Sequence, residues 1–117
     1  MTAALRHRPA PSDFGATAEL MGRDTLVRLS GEIDIASCGD LRDALEPHLD
    51  SGRNLIIDLG RVTFMDSSVL TVLLHAKSAL ATASRSLRLD NPSRAARRLL
   101  SIEAVRLLLD LDQPPTG

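Results

Sequence analysis

The stretch from Asn54 to Leu70, NLIIDLGRVTFMDSSVL, constrains the fold more than any other part of the chain. It begins with NLIIDLG, a short apolar run of the kind buried in a sheet interior. It ends by placing Asp66, Ser67 and Ser68 directly before a second apolar run. Aspartate is a favoured helix N-cap because its carboxylate accepts hydrogen bonds from the first unpaired N–H groups. Residues 54–70 therefore read as a strand–turn–helix unit. Asp66 opens a helix that runs to about Ser84, with Ser67 and Ser68 in the first turn.

The flanking segments supply more of the same. A weak first strand from Asp13 to Leu20 leads through a hairpin turn, Met21-Gly22-Arg23-Asp24, into TLVRLSGEI, Thr25 to Ile33. The partial alternation of that run suits a half-buried strand, with Gly31 marking a bulge or bend. Asp34 is placed to cap a helix from Ile35 to about Leu49. Leu41, Leu45 and Leu49 repeat every four residues along it, and Ile35 and Cys38 extend that apolar side toward its start. Ser51-Gly52 ends it by offering a residue tolerant of positive φ. Leu87 to Asp90 reads as a strand, Asn91-Pro92-Ser93 as the opening of a helix to about Leu100, and Ser101 to Leu111 as a last strand or short helix. Strands alternating with helices imply an α/β layer arrangement in a single domain, residues 13–111. Short tails, 1–12 and 112–117, carry most of the prolines.

Composition excludes several functions. A net charge of −1 gives no general attraction to nucleic acid or to an anionic membrane surface. Phe14 and Phe64 are the only aromatic residues, too few for base-stacking platforms. No run approaches the roughly 20 apolar residues of a membrane span, and MTAALRHRPA lacks the apolar core of a signal peptide, so the cytoplasm is the expected location. Cys38 stands alone, which rules out an internal disulfide and a cysteine metal cluster. His7, His48 and His75 lack ligand spacing, and no metal or cofactor site is expected. A Walker-type phosphate cradle is missing as well, and Lys77 is the only lysine. Arg94, Arg97, Arg98 and Arg106 read as a solvated helix face without a groove-reading motif. Cys38 reads as a small apolar filler and His48 as a helix-end residue that complements the dipole when protonated.

The serine pair admits two readings. In the first, Asp-Ser-Ser is a capping sequence and nothing else. In the second, one serine is a modification site, because a helix N-terminus with exposed N–H groups favours an added phosphate. A phosphoserine there would add roughly −1.5 to −2 charges beside the Asp66 carboxylate, enough to repel a partner without refolding. At about 100° per residue, Thr71, His75, Ser78 and Thr82 form one polar stripe. Ser68 lies slightly nearer its centre than Ser67, so periodicity leans toward Ser68 as the exposed residue. Lys77 falls on the apolar side, where its amine is expected to reach past the sheet edge.

Three segments resemble the STAS-domain family, and within it the bacterial anti-sigma factor antagonists: LSGEID at 29–34, LIIDLGRVTFMDSSVLTVLLHA at 55–76 and LRLDNPSRAARRLL at 87–100. The resemblance spans roughly residues 13–111, and the strand leading to Asp-Ser-Ser is its most specific part. It implies a small mixed β-sheet with helices packed on it. It also implies a partner, an anti-sigma factor that is itself a serine kinase, and a function in regulating sigma-factor-dependent transcription. In the family the kinase phosphorylates the second serine of Asp-Ser-Ser-Gly and so breaks the complex, which a phosphatase can restore. Carried over, the phosphoacceptor is Ser68 rather than Ser67. Asp34, Asp66, Ser67, Ser68 and Val69 then lie on the partner-facing surface, with the Asp34 and Ser68 loops at one end of the sheet. Val69 stands where the family usually has glycine, so its side chain either weakens kinase recognition or packs inward. The resemblance also admits an interaction module that is never phosphorylated, in a stress-signalling or transport assembly.

An enzymatic role is not expected. The strained nucleophile elbow needs Gly-x-Ser-x-Gly, and Met65 to Val69 contains no glycine. His75 lies two turns along the helix from Ser68, beyond the roughly 3 Å over which a base must act.

Overall fold

The computed structural model describes residues 14–102 together with Val105 and Arg106. The expected tails at 1–12 and 112–117, and most of the expected last element between Ser101 and Leu111, lie outside those residues. Within them a four-stranded sheet is built from β1 (Gly15–Met21), β2 (Asp24–Ile33), β3 (Asn54–Met65) and β4 (Leu87–Asp90), in the order β1-β2-β3-β4. The β1–β2 pair is antiparallel across the Gly22–Arg23 turn, and the β2–β3 and β3–β4 pairs are parallel. Parallel neighbours need crossovers, and the helices supply them: α1 (Cys38–Leu45) between β2 and β3, and α2 (Val69–Thr82) between β3 and β4. A third helix, α3 (Arg94–Leu100), follows β4 and packs on β3. The mixed sheet expected from the sequence is the one observed.

Burial explains why these residues take these places. Leu55, Ile57 and Leu59 of β3 are wholly inaccessible to solvent and join Val27, Leu29 and Ile33 of β2 in one core. Leu41, Leu45 and Leu49 meet that core as their spacing requires, and Val72, Leu73, Ala76 and Leu80 bring α2 to it. Thr71, His75, Ser78 and Thr82 form the exposed stripe of α2. Lys77 is half-buried on its flank.

The segment after β2 departs from the single helix expected over residues 35–49. It consists of a 3-10 turn at Ile35–Ser37, the α-helix α1, and a second 3-10 turn at Glu46–His48. Pro47 accounts for the second break, since it has no N–H to continue the i→i−4 ladder. At the start, the 3-10 turn winds at about three residues per turn rather than 3.6. Ile35 heads that turn directly after Asp34 leaves the sheet, and its side chain is 77% exposed instead of joining the core.

β3 continues well past Gly60 to Met65, and it carries one extra residue relative to β2 at each of two register shifts. The pairing steps from Gly31↔Val62 to Glu32↔Phe64, with Gly31 at φ 83°. A left-handed residue in a strand is readily tolerated only by glycine. Past the bulge the strands stay in step, Ile33↔Met65, so both end together. That common end carries the Asp34 and Asp66 loops.

Candidate functional site

Asp34 leaves the end of β2, and Asp66-Ser67-Ser68 leaves the end of the parallel strand β3. Loops at the carboxyl ends of parallel strands face a common space, where α/β sheets usually present their ligand surface. A last backbone bond, from the Asp66 N–H to the Ile33 carbonyl at 3.2 Å, joins the two loops at their roots.

Each aspartate is committed to its own turn. One Asp34 oxygen accepts from the Ser37 N–H at 3.1 Å and lies 3.0 Å from the Ser37 hydroxyl. It thereby caps the 3-10 turn ahead of α1, as expected from its position in the sequence. One Asp66 oxygen accepts from the Ser68 N–H at 2.9 Å and also from the Ser68 hydroxyl. The Asp66 carbonyl accepts from the Val69 N–H at 3.2 Å, and the Ser67 carbonyl from the Leu70 N–H at 3.0 Å. Asp66 thus caps a tight turn, and regular helix begins only at Val69.

This placement corrects the choice between the serines made from periodicity. Ser67 is exposed and Ser68 is half-buried, the reverse of the expected lean. A helical wheel cannot place residues that precede the helix, and both serines belong to the turn. Ser68 is drawn inward by the Asp66 carboxylate and packs against α1, where Cys38 Sγ lies 3.6 Å from both its hydroxyl and its carbonyl oxygen. Cys38 therefore borders the core, as read, but it also touches the candidate phosphoacceptor. The sequence offered no signal for that contact across two separate elements.

Val69 is 1% exposed and sits in the core cluster. Of the two courses open to a side chain at the usual glycine position, the structure takes the inward one. It removes Val69 from the list of side chains that a partner would touch. Ile35, beside Asp34, takes its place as an apolar side chain on the surface. His75 is exposed on the polar stripe of α2 and forms no hydrogen bond with Ser68 among the described residues. Among the described residues Ser68 thus has a carboxylate acceptor and no imidazole hydrogen-bond partner. No described helix is long and apolar enough to cross a membrane.

Comparison with known proteins places this geometry. A family model, "Mlab, STAS domain", matches residues 16–110. The anti-sigma-B factor antagonist of Bacillus subtilis (strain 168) is 33% identical over 94 residues, which cover 80% of this chain and 86% of that protein. The crystal structure of an anti-sigma factor antagonist from Mycobacterium paratuberculosis superposes with a TM-score of 0.74 at 24% identity, covering 84% of each chain. The Bacillus cell fate determinant SpoIIAA, an anti-sigma factor antagonist, has been solved in two forms. The unphosphorylated form matches with a TM-score of 0.66 over 78% of this chain and 82% of that one; the phosphorylated form matches with 0.61 over 80% and 87%, both at 24% identity. At those identities the structural likenesses establish the fold alone.

Proposed function

The chain belongs to the STAS-domain family, and we propose on that basis that it is an anti-sigma factor antagonist switched off by phosphorylation of Ser68. Its partner is an anti-sigma factor with serine kinase activity. The unmodified surface formed by Asp34, Ile35, Asp66, Ser67 and Ser68 holds that partner and keeps it from its sigma factor. Phosphoryl transfer belongs to the partner, so this chain serves as substrate and regulator. A serine phosphatase would reset it.

The observation that carries this reading is the hydrogen bond from the Ser68 hydroxyl to the Asp66 carboxylate. Esterifying that oxygen removes the donated proton and sets a dianionic phosphate against a carboxylate. The attractive contact becomes a repulsive one at the junction of β3 and α2. Asp66 also engages the Ser68 N–H, so the whole turn feels the change. Ser67 forms no side-chain hydrogen bond among the described residues, and its modification would leave the Asp66 turn intact. The half-burial of Ser68 favours the competing reading, a STAS module that binds in a stress-signalling or transport assembly without being phosphorylated.

Incubation with ATP and each kinase encoded beside it, followed by mass spectrometry, separates the two. Phosphate on Ser68 supports the switch. Its absence from both serines with every such kinase supports the passive module. In binding assays Ser68→Ala should hold the cognate partner constitutively and Ser68→Asp should hold it more weakly. Equal binding by wild type and both variants would sink the switch.

A further inference from the structure

The opposite end of the sheet gathers three guanidinium groups from three separate connections. Arg23 lies in the β1–β2 turn, Arg53 in the connection from α1 to β3, and Arg85 in the connection from α2 to β4. All three line one open concavity of about 420 Å³. This end lies the length of β3 away from Ser68, about 35 Å at the usual rise of a strand.

The cluster is built rather than scattered. Asn54 ties the three connections together: its N–H donates to the Arg23 carbonyl at 3.3 Å, its side-chain amide donates to Asp24 Oδ1 at 3.3 Å, and its side-chain oxygen accepts from the Ser86 N–H at 3.0 Å. Arg53 adds a bond from its guanidinium to the Gly22 carbonyl. Behind Arg85, the end of α2 is fixed by bonds from the Arg85 N–H to the Leu80 carbonyl at 2.8 Å and from the Ser84 N–H to the Ala81 carbonyl at 2.9 Å. Gly22 and Gly52, at φ 62° and 80°, form part of the wall and leave its rim without side chains.

Among the described residues no carboxylate forms an ion pair with Arg23, Arg53 or Arg85. Three like charges around one concavity give it a positive potential, which favours an anion there. Guanidinium groups suit phosphate in particular, since their planar forks bind its oxygens in pairs. The concavity falls within the roughly 300–1,000 Å³ typical of small-ligand sites. Its lining contains no aromatic side chain on which a base would stack. We infer that this concavity binds an oligophosphate chain, read through its phosphoryl groups with no recognition of an attached base. The site needs no Walker-type loop, because its cations come from positions far apart in the sequence and meet only in the fold.

Calorimetric titration of the full chain with sodium tripolyphosphate, and with ATP and GTP, all without magnesium at low salt, tests the inference. One saturable class of site is expected, with similar affinity for the three ligands. Arg23→Ala and Arg85→Ala, both at exposed positions, should each weaken binding by roughly tenfold, the loss expected for a charge-assisted pair. Arg94→Ala on α3 should leave it unchanged, as should Ser68→Ala at the far end. An equal loss from Arg94→Ala would reduce the site to diffuse attraction and overturn the inference. So would the lack of saturable tripolyphosphate binding, or binding of the nucleotides alone.

Discussion

The Asp66 carboxylate accepts hydrogen bonds from both the backbone N–H and the hydroxyl of Ser68, so a single oxygen holds the turn that joins β3 to α2. The cap and the candidate phosphoacceptor are therefore one structural unit. A change in the charge or donor capacity of either residue is felt by both.

Removing the acceptor should loosen the unit. Asp66→Ala leaves the Ser68 N–H unpaired at a half-buried position and should cost about 1 kcal/mol, within the range for lost N-caps. Asp66→Asn keeps an acceptor oxygen but loses the charge, and should cost less. Urea denaturation monitored by circular dichroism measures both. Two unchanged midpoints would mean that the turn is held by its backbone bonds alone.

Adding charge at the two serines should have unequal effects. Ser68→Asp sets a second carboxylate against Asp66, whereas Ser67→Asp points its charge into solvent. The Ser68 variant is expected to be the less stable by about 1 kcal/mol at low salt, and the gap should narrow at high salt as screening grows. Combining Ser68→Asp with Asp66→Asn should recover part of the loss, which is the coupling a double-mutant cycle reads. Additive losses would show that the two positions do not communicate electrostatically.

Much of this arrangement was legible in the sequence because it is local. Asp34 and Asp66 were readable as caps, Gly31 as a bulge or bend, and Leu41, Leu45 and Leu49 as one buried stripe. What could not be read depended on neighbours in space or on exact winding. Ile35, at the head of the 3-10 turn before α1, is exposed rather than extending that stripe. The turn before Val69 exchanged the expected exposures of Ser67 and Ser68. The contact between Cys38 and Ser68, and the shared concavity of Arg23, Arg53 and Arg85, join residues on different connections between strands and leave no periodic trace.

Val69 occupies the position where the family usually has glycine, and restoring glycine here should harm rather than help. The side chain is buried in the core, so Val69→Gly removes its packing and adds backbone freedom to the first turn of α2. The expected loss is about 2–4 kcal/mol, from cavity formation together with the lower helix propensity of glycine. Chemical denaturation gives the figure. A loss below about 1 kcal/mol would mean that the neighbouring core closes over the gap.

Ile35 offers a test of the partner surface that spares the fold. Its side chain is 77% exposed and follows Asp34 directly, so truncation removes apolar area from the surface and almost nothing from the core. Ile35→Ala should therefore shift stability by no more than about 0.5 kcal/mol, the usual range for surface changes. In a complex that covers this end of the sheet the same residue would be desolvated. Burying an exposed aliphatic side chain is worth about 1.5–3 kcal/mol, so its loss should weaken partner binding by roughly ten- to a hundredfold. A control at Leu20, which is 66% exposed on β1, the edge strand among the described residues, should change neither stability nor binding. Binding of Ile35→Ala at wild-type strength to the proposed anti-sigma factor partner would place the partner's apolar contact elsewhere on the domain.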